Sequence, residues 1–207
     1  MNEHARNAEL SLADLIGSRL CHDIVNPLGA IGNGVELMQL TGAATGPELD
    51  LIRDAVDDAQ ARIRFLRIAF GAAQPTHTIS SREARTAVTG IYRNARMNPT
   101  WTVEQDLPRN RVKLAFLMTL CAETALPMGA DLTVSLPAAD RWQISATASR
   151  VNVDEALWSV LRFGPGALNR ALRPAEAHFA ALHVAAEELN LTVNYVHDEG
   201  SLTISTT

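Results

Sequence analysis

A histidine in the first quarter of the chain is the first residue whose setting suggests chemistry. It opens the segment His22-Asp23-Ile24-Val25-Asn26-Pro27-Leu28. On a helix, at about 100° per residue, the apolar stripe through Leu20 and Ile24 lies opposite a small or polar face made of Ser18, His22, Asn26, Gly29 and Asn33. We therefore expect the imidazole of His22 to face solvent, where a neutral ring nitrogen is accessible to a large partner and is a competent nucleophile toward phosphorus. By itself, a lone exposed histidine is most often an ordinary surface residue.

Two long amphipathic helices have to position this histidine. Steps of three or four separate the apolar residues of the first helix, which are Leu12, Ile16, Leu20, Ile24, Leu28, Ile31, Val35 and Met38. A strict alternation of three and four, typical of a coiled-coil seam, separates those of the second helix, which are Leu49, Ile52, Val56, Ala59, Ile63, Leu66 and Phe70.

Start signals precede both helices. Ser11 with Asp14 marks the first, and Thr45 with Glu48 has capping-box spacing before the second, where Pro47 suits the first helical position. The short stretch 41–46 between them predicts an antiparallel hairpin. Because two helices alone leave much apolar surface exposed, we expect two hairpins to pair as a four-helix bundle in a homodimer.

The amino-acid composition changes after Phe70. Residues 71–78 are mostly small and include Pro75, which predicts a linker. This boundary predicts a helical domain over 1–72 and a second domain over 79–207. The pattern of the second domain predicts an α+β sandwich with helices on one face of a mixed sheet. Its predicted helices span 80–97, 109–126, 153–163 and 174–190, and its predicted strands span 101–106, 131–136, 142–147, 191–196 and 201–205.

Composition excludes several classes of partner and site. A net charge of -5 without a run of Lys or Arg argues against nucleic-acid binding. The two cysteines, Cys21 and Cys121, have no metal-binding spacing and are expected to be buried free thiols. The first residues lack the pattern of a secretory leader, and no apolar stretch is long enough to span a bilayer, so we expect a cytoplasmic protein without membrane contact.

The histidine segment resembles the phospho-acceptor box of histidine kinases. More closely, residues 20–31 (LCHDIVNPLGAI), followed by Asn33-Gly34 and Glu36-Leu37, and residues 67–72 (RIAFGA) resemble the ChpT family of alphaproteobacterial histidine phosphotransferases. The resemblance implies that His22 is the phosphorylated residue. It also implies that Asp23 acts as a base or holds the imidazole, and that Asn26 positions a water. Asp23 as a solvated helix residue and Asn26 as a spacer before Pro27 remain alternatives.

The second domain resembles, in element order, the ATP-binding domain of histidine kinases, but three of its motifs are missing. Residues 114–121 lack the Asn that helps to hold Mg²⁺, residues 144–151 lack the Asp-x-Gly-x-Gly turn that contacts adenine, and residues 172–178 replace the glycine-rich phosphate loop with bulk, a proline and a carboxylate. The resemblance therefore implies a degenerate domain that binds protein, with no cofactor.

The family resemblance implies a phosphorelay connected with cell-cycle regulation. The receiver domain of a hybrid histidine kinase would pass its aspartyl phosphate to His22, and a response regulator would then take it, each receiver bringing its own Mg²⁺. Partner-binding residues are expected to be Ser18, Arg19, Asn26, Gly29, Ala30 and Asn33. Two alternatives remain open: a sporulation-type phosphotransferase, and a non-catalytic dimeric adaptor that sequesters receiver domains.

Overall fold

The computed structural model describes residues 12–41, 46–72 and 76–207 of the chain. The predicted start signal at Ser11, the Thr45 cap and most of the hairpin loop lie outside these residues. Side chains are described for all of them except Ala13, Asp14, Leu15, Ser18, Cys21, His22, Val25, Asn26, Gln39, Thr41 and Glu48.

Two helices form the predicted hairpin at the N-terminus. Helix α1 spans Leu12–Thr41 and continues through Pro27, while α2 spans Pro47–Ala69 and has Pro47 in its first turn, as predicted. The two helices pack against each other along their lengths. Phe65, Ile68 and Ala69, near the end of α2, are almost completely buried. Phe65 stacks on Phe116 with ring centroids 4.6 Å apart, so the end of the hairpin forms part of the core of the following domain.

The rest of the chain is a mixed α+β unit. The remaining elements are β1 (Thr78–Ile79), α3 (Ser81–Ile91), β2 (Met97–Trp101), β3 (Leu107–Pro108), α4 (Arg109–Thr124), β4 (Ala130–Ala138), β5 (Arg141–Thr147), α5 (Glu155–Trp158), α6 (Val160–Phe163), α7 (Ala177–Glu188), β6 (Val193–His197) and β7 (Ser201–Thr206). The five-stranded sheet has the order β2-β4-β5-β7-β6, in which β2 and β4 are parallel and all other neighbours are antiparallel.

One face of the sheet is buried by helices. Buried and more exposed positions alternate along β4, β5 and β7, as expected for strands that are covered on a single face. Helices α3 and α4 pack against the sheet and α7 packs against α4. Cys121, on α4, is buried as expected, and burial raises the pKa of its thiol. The predicted α+β architecture is therefore confirmed.

Four predicted elements were wrong in detail. The helix predicted over 80–97 ends at Ile91, and in place of the strand predicted over 101–106 the chain has β2, which spans Met97–Trp101 and contains Pro99. Proline is tolerated there because β2 is an edge strand. The helix predicted over 153–163 is two four-residue helices, α5 and α6, and the one predicted from Pro174 begins with a 3₁₀ turn over Pro174–Glu176. In the part of the chain that the structure describes, no helix is long and apolar enough to cross a membrane.

Candidate functional site

The histidine segment lies within the continuous helix α1, as its apolar spacing predicts. The side chains of Ser18, His22 and Asn26 are outside the described set. Of the residues predicted on the same face, Gly29 and Asn33 are exposed, and a Cβ atom added at Gly29 would meet no atom of the described neighbours within 4 Å. The surface C-terminal to His22 on this face is therefore open.

Arg19, also a predicted docking residue, faces the chain's own C-terminal domain. Its side chain is 17% exposed, and its Nε donates to Asp23 Oδ2 at 3.0 Å. Its Nη1 donates to the backbone oxygen of Ala175 at 2.6 Å and lies 3.2 Å from Nδ1 of His178. Arg19 thus joins the turn of α1 that carries His22 to the start of α7.

His178 is a buried neutral histidine in the second layer of this site. Its side chain is almost completely buried, and burial, reinforced by the positive charge of Arg19, lowers its pKa to about 3. Nε2 of His178 lies 3.0 Å from Oγ1 of Thr124, whose own proton is donated to the backbone oxygen of Leu120 at 3.1 Å. This network assigns the proton of His178 to Nε2 and leaves Nδ1 as an acceptor for Arg19.

A second polar cluster fixes the backbone beside Arg19. The carboxylate of Glu176 is buried and accepts hydrogen bonds from both Nη atoms of Arg170 at 2.8 and 3.0 Å, and from Nε and Nη2 of Arg173 at 2.9 and 2.6 Å. Burial would raise the pKa of Glu176, but these hydrogen bonds outweigh it and hold the pKa at about 2. The 3₁₀ turn that contains Ala175 is therefore firmly held.

Ala30, another predicted docking residue, lies in a groove between the hairpin and the C-terminal domain. The groove has a volume of about 380 Å³ and is lined by Pro27, Ala30, Leu51, Asp54, Ala55, Asp58, Arg62, Ile91, Asn94 and Ala95. It follows the histidine segment along α1 and mixes apolar with charged side chains. Such a surface is suited to contact with a folded partner.

The central part of α4 is closed to ligands. Leu114, Phe116 and Met118 are completely buried, and the hydroxyl of Thr119 donates to the backbone oxygen of Ala115 at 2.9 Å. Among the side chains that the structure describes, no group of three or more His, Cys, Asp and Glu residues is arranged to hold a metal ion.

Sequence reasoning placed His22, Asp23, Gly29, Ala30 and Asn33 on the helix where the structure has them, but it did not find His178, Thr124 or Glu176 as part of the site. His178 is 159 residues from Arg19. A histidine in an alanine-rich helix carries no local signal of such a contact, since only the packing of α1 against α7 brings the two side chains together.

A helical hairpin with the H-D-x-x-N-P-L segment on its first helix, joined to a mixed α+β domain, is the architecture of a histidine phosphotransfer protein. Residues 81–201 match the family model described as the histidine phosphotransferase C-terminal domain. The chain belongs to this family, and specifically to its ChpT type.

Two relatives show how far the similarity extends. The protein phosphotransferase ChpT of Brucella abortus (strain 2308) is 41% identical over 133 residues, which are 63% of this chain and 63% of that protein. A solved structure described as a 1.7 Å structure of a bacterial phosphotransferase superimposes with a TM-score of 0.81 at 32% identity, covering 96% of both chains.

Proposed function

We propose that this protein is the histidine phosphotransferase of a phosphorelay. A receiver domain, such as that of a hybrid histidine kinase, donates the phosphoryl group of its aspartyl phosphate to His22. A response regulator then takes the group from His22 onto its own aspartate. The protein itself does not use ATP.

The transfer conserves atoms and charge in two steps. In the first, a ring nitrogen of His22 attacks the phosphorus, the N–P bond forms, and the P–O bond to the aspartyl carboxylate breaks, so that the carboxylate leaves. The proton on the other ring nitrogen passes to Asp23 or to water. The second step reverses these bond changes on the next receiver. Because phosphoryl transfer depends mostly on positioning and charge stabilisation, and the receivers supply Mg²⁺, this chain needs only an oriented imidazole.

The observation that carries the proposal is the position of the histidine segment in the fold. His22 lies on a continuous helix, and an ideal helix places it on the same face as Gly29 and Asn33, both of which are exposed. This face is open to a large partner, and the adjacent groove at Ala30 extends the accessible surface. Together with family membership, this arrangement supports a histidine that reacts with another folded protein.

Asp23 and Asn26 are proposed to assist His22. Asp23 is held by the guanidinium of Arg19 and directly follows His22, which suits a carboxylate that orients the imidazole or accepts its proton. Asn26, one turn further on, is proposed to position the water that hydrolyses the phosphohistidine.

The inability to use ATP is supported by the sequence and packing of the C-terminal domain. The central residues of α4, where kinases place a metal-binding Asn, are buried, and they are apolar apart from Thr119, which bonds to its own helix. The loop that would cradle phosphates is instead held by Arg170, Arg173 and Glu176.

We further propose a homodimer. Leu28, Val35 and Ile63 are between 42% and 55% exposed on the hairpin. A row of half-exposed apolar side chains on two adjacent helices is what pairing into a four-helix bundle would cover.

A reconstituted relay tests the proposed function. A receiver domain loaded with ³²P from acetyl phosphate is mixed with a second, unlabelled receiver, with and without this protein. We expect label to reach the second receiver only when this protein is present, through an acid-labile intermediate. If the protein binds both receivers but never carries label, it is an adaptor, and the proposed function is wrong.

A further inference from the structure

We propose that Arg19 is a positioning residue for phosphotransfer, and that the C-terminal domain holds it through a hydrogen bond to His178. This inference rests on the proposed function and deepens it, because it gives the domain that does not use ATP a direct influence on the reacting histidine.

The first step of the argument is the geometry of the Arg19 guanidinium. Its contacts reach three parts of the chain: Asp23 on its own helix, the backbone oxygen of Ala175 in the 3₁₀ turn, and Nδ1 of His178 on α7. Arg19 precedes His22 by three residues and Asp23 follows it directly, so the ion pair spans the reactive position. Because the guanidinium is planar and rigid, fixing one side of it also fixes the other.

The second step is the protonation of His178. A histidine can accept a hydrogen bond from an arginine only if the facing nitrogen carries no proton. Burial of His178 keeps the ring neutral. Its Nε2–H donates a hydrogen bond to the hydroxyl oxygen of Thr124. Nδ1 is therefore left as an acceptor directed at the cation, and a hydrogen bond with a charged donor in a buried setting is strong.

The third step is the rigidity of the acceptor on the other side. Ala175 lies inside the 3₁₀ turn Pro174–Glu176, and Glu176 is held by Arg170 and Arg173 through both of its oxygens. The backbone nitrogen of Arg173 also donates to Glu176 Oε2 at 2.9 Å. These bonds brace the segment 170–176 internally, and the buried Glu176 anchors it in the domain, so the backbone oxygen of Ala175 is a held acceptor for Arg19.

These contacts give Arg19 a positioning role and not a docking role. The side chain of Arg19 is directed into its own chain and is 17% exposed, so it offers little surface to a receiver. Its loss would instead remove one hydrogen-bond donor from the carboxylate of Asp23 beside His22 and remove two contacts between α1 and the C-terminal domain. A displacement of about 1 Å at the reacting atoms can slow a reaction about 100-fold. We therefore expect Arg19 to affect the maximal transfer rate and not the affinity for the receiver.

The test is single-turnover transfer from a ³²P-labelled receiver domain that labels the wild-type protein, measured over a range of receiver concentrations. We expect Arg19→Ala to lower the maximal rate about 10- to 100-fold, with a half-saturating receiver concentration within about twofold of the wild-type value. Arg53→Ala is the matched control, because it removes an exposed arginine that pairs with Asp50 at 3.2 Å on α2. It should leave both parameters unchanged.

Two substitutions at His178 test the acceptor. His178→Asn places an amide oxygen near the position of Nδ1 and should keep most of the maximal rate. His178→Leu should lose part of the rate that Arg19→Ala loses, because Arg19 keeps its bonds to Asp23 and to the backbone oxygen of Ala175. The double variant Arg19→Ala/His178→Leu should be no slower than Arg19→Ala alone, because Arg19→Ala already removes the contact with His178.

The outcomes separate the inference from the proposed function. A higher half-saturating concentration with an unchanged maximal rate in Arg19→Ala would make Arg19 a docking residue and overturn the inference, as would an unchanged rate. Equal losses in His178→Asn and His178→Leu would overturn the role of His178 as acceptor. Should His178→Leu fail to fold, the kinetics of Arg19→Ala and His178→Asn still decide. If no receiver labels the wild-type protein, the proposed function itself fails.

Discussion

Mild acid should destabilise the protein through His178. The pKa of this histidine is lowered from 6.5 to about 3 in the folded state, because burial disfavours its charged form. Below pH 6.5 the unfolded chain therefore binds a proton that the folded chain does not. The free energy of unfolding is therefore unaffected by His178 above pH 6.5, and it falls as the pH decreases from 6.5 toward 3. The slope is about 1.4 kcal/mol per pH unit, so at about pH 5 the free energy of unfolding should be lower by about 2 kcal/mol.

Glu176 should not obscure this effect. Its folded-state pKa is lowered from 4.5 to about 2, so its contribution to stability is present above pH 4.5 and is lost only as the pH falls below that value. Between about pH 5 and pH 6.5, the change in the free energy of unfolding therefore comes mainly from His178 and not from Glu176.

The assay is urea unfolding of the wild-type protein and His178→Asn at about pH 7.5 and about pH 5, at one protein concentration. Asparagine does not titrate, so the variant controls for every other group. Between the two pH values, the wild-type free energy of unfolding should fall by about 2 kcal/mol more than that of the variant. Equal losses in both proteins would show that His178 titrates normally when folded, and would refute the buried, neutral acceptor described above.

Three further predictions address the dimer, the docking face and ATP. Ile63→Asp should produce monomers or aggregates by light scattering while Ile63→Leu remains dimeric, and a wild-type mass of about 22 kDa at micromolar concentration would contradict the dimer. Gly29→Arg should weaken receiver binding, with saturating receiver restoring part of the transfer rate, while Gly29→Ala transfers normally, because a Cβ at Gly29 meets no atom of the described neighbours. Normal binding by a folded Gly29→Arg dimer would place the docking face elsewhere. Calorimetry with ATP and Mg²⁺ should show no binding, and micromolar binding or labelling directly from ATP would contradict the proposal.

Local patterns were sufficient to predict the elements that depend on periodicity. The apolar steps of three or four predicted α1 and α2, and Pro47 marked the first turn of α2. Alternation predicted β5 and β7 to within a residue or two. These elements each bury one face, so the burial pattern is visible in the residues themselves.

Elements that depend on tertiary packing were predicted less well. Residues 92–97 have no feature that ends a helix as clearly as Pro99, yet α3 ends at Ile91, because Met97 pairs beside Ala130 in the sheet. The contact between Arg19 and His178 is of the same kind. It depends on how α1 packs on α7, and neither residue type nor spacing indicates it.

The central claim is that His22 carries the phosphoryl group, and site-specific labelling tests it most directly. Wild-type protein, His22→Gln and His77→Gln are each mixed with a ³²P-labelled receiver domain that labels the wild type. His77→Gln is the control, because His77 is an exposed histidine between the two domains. We expect acid-labile label on the wild type and on His77→Gln, and none on folded His22→Gln. Acid-labile label on His22→Gln at the wild-type level would show that another residue carries the phosphate, and would contradict the account.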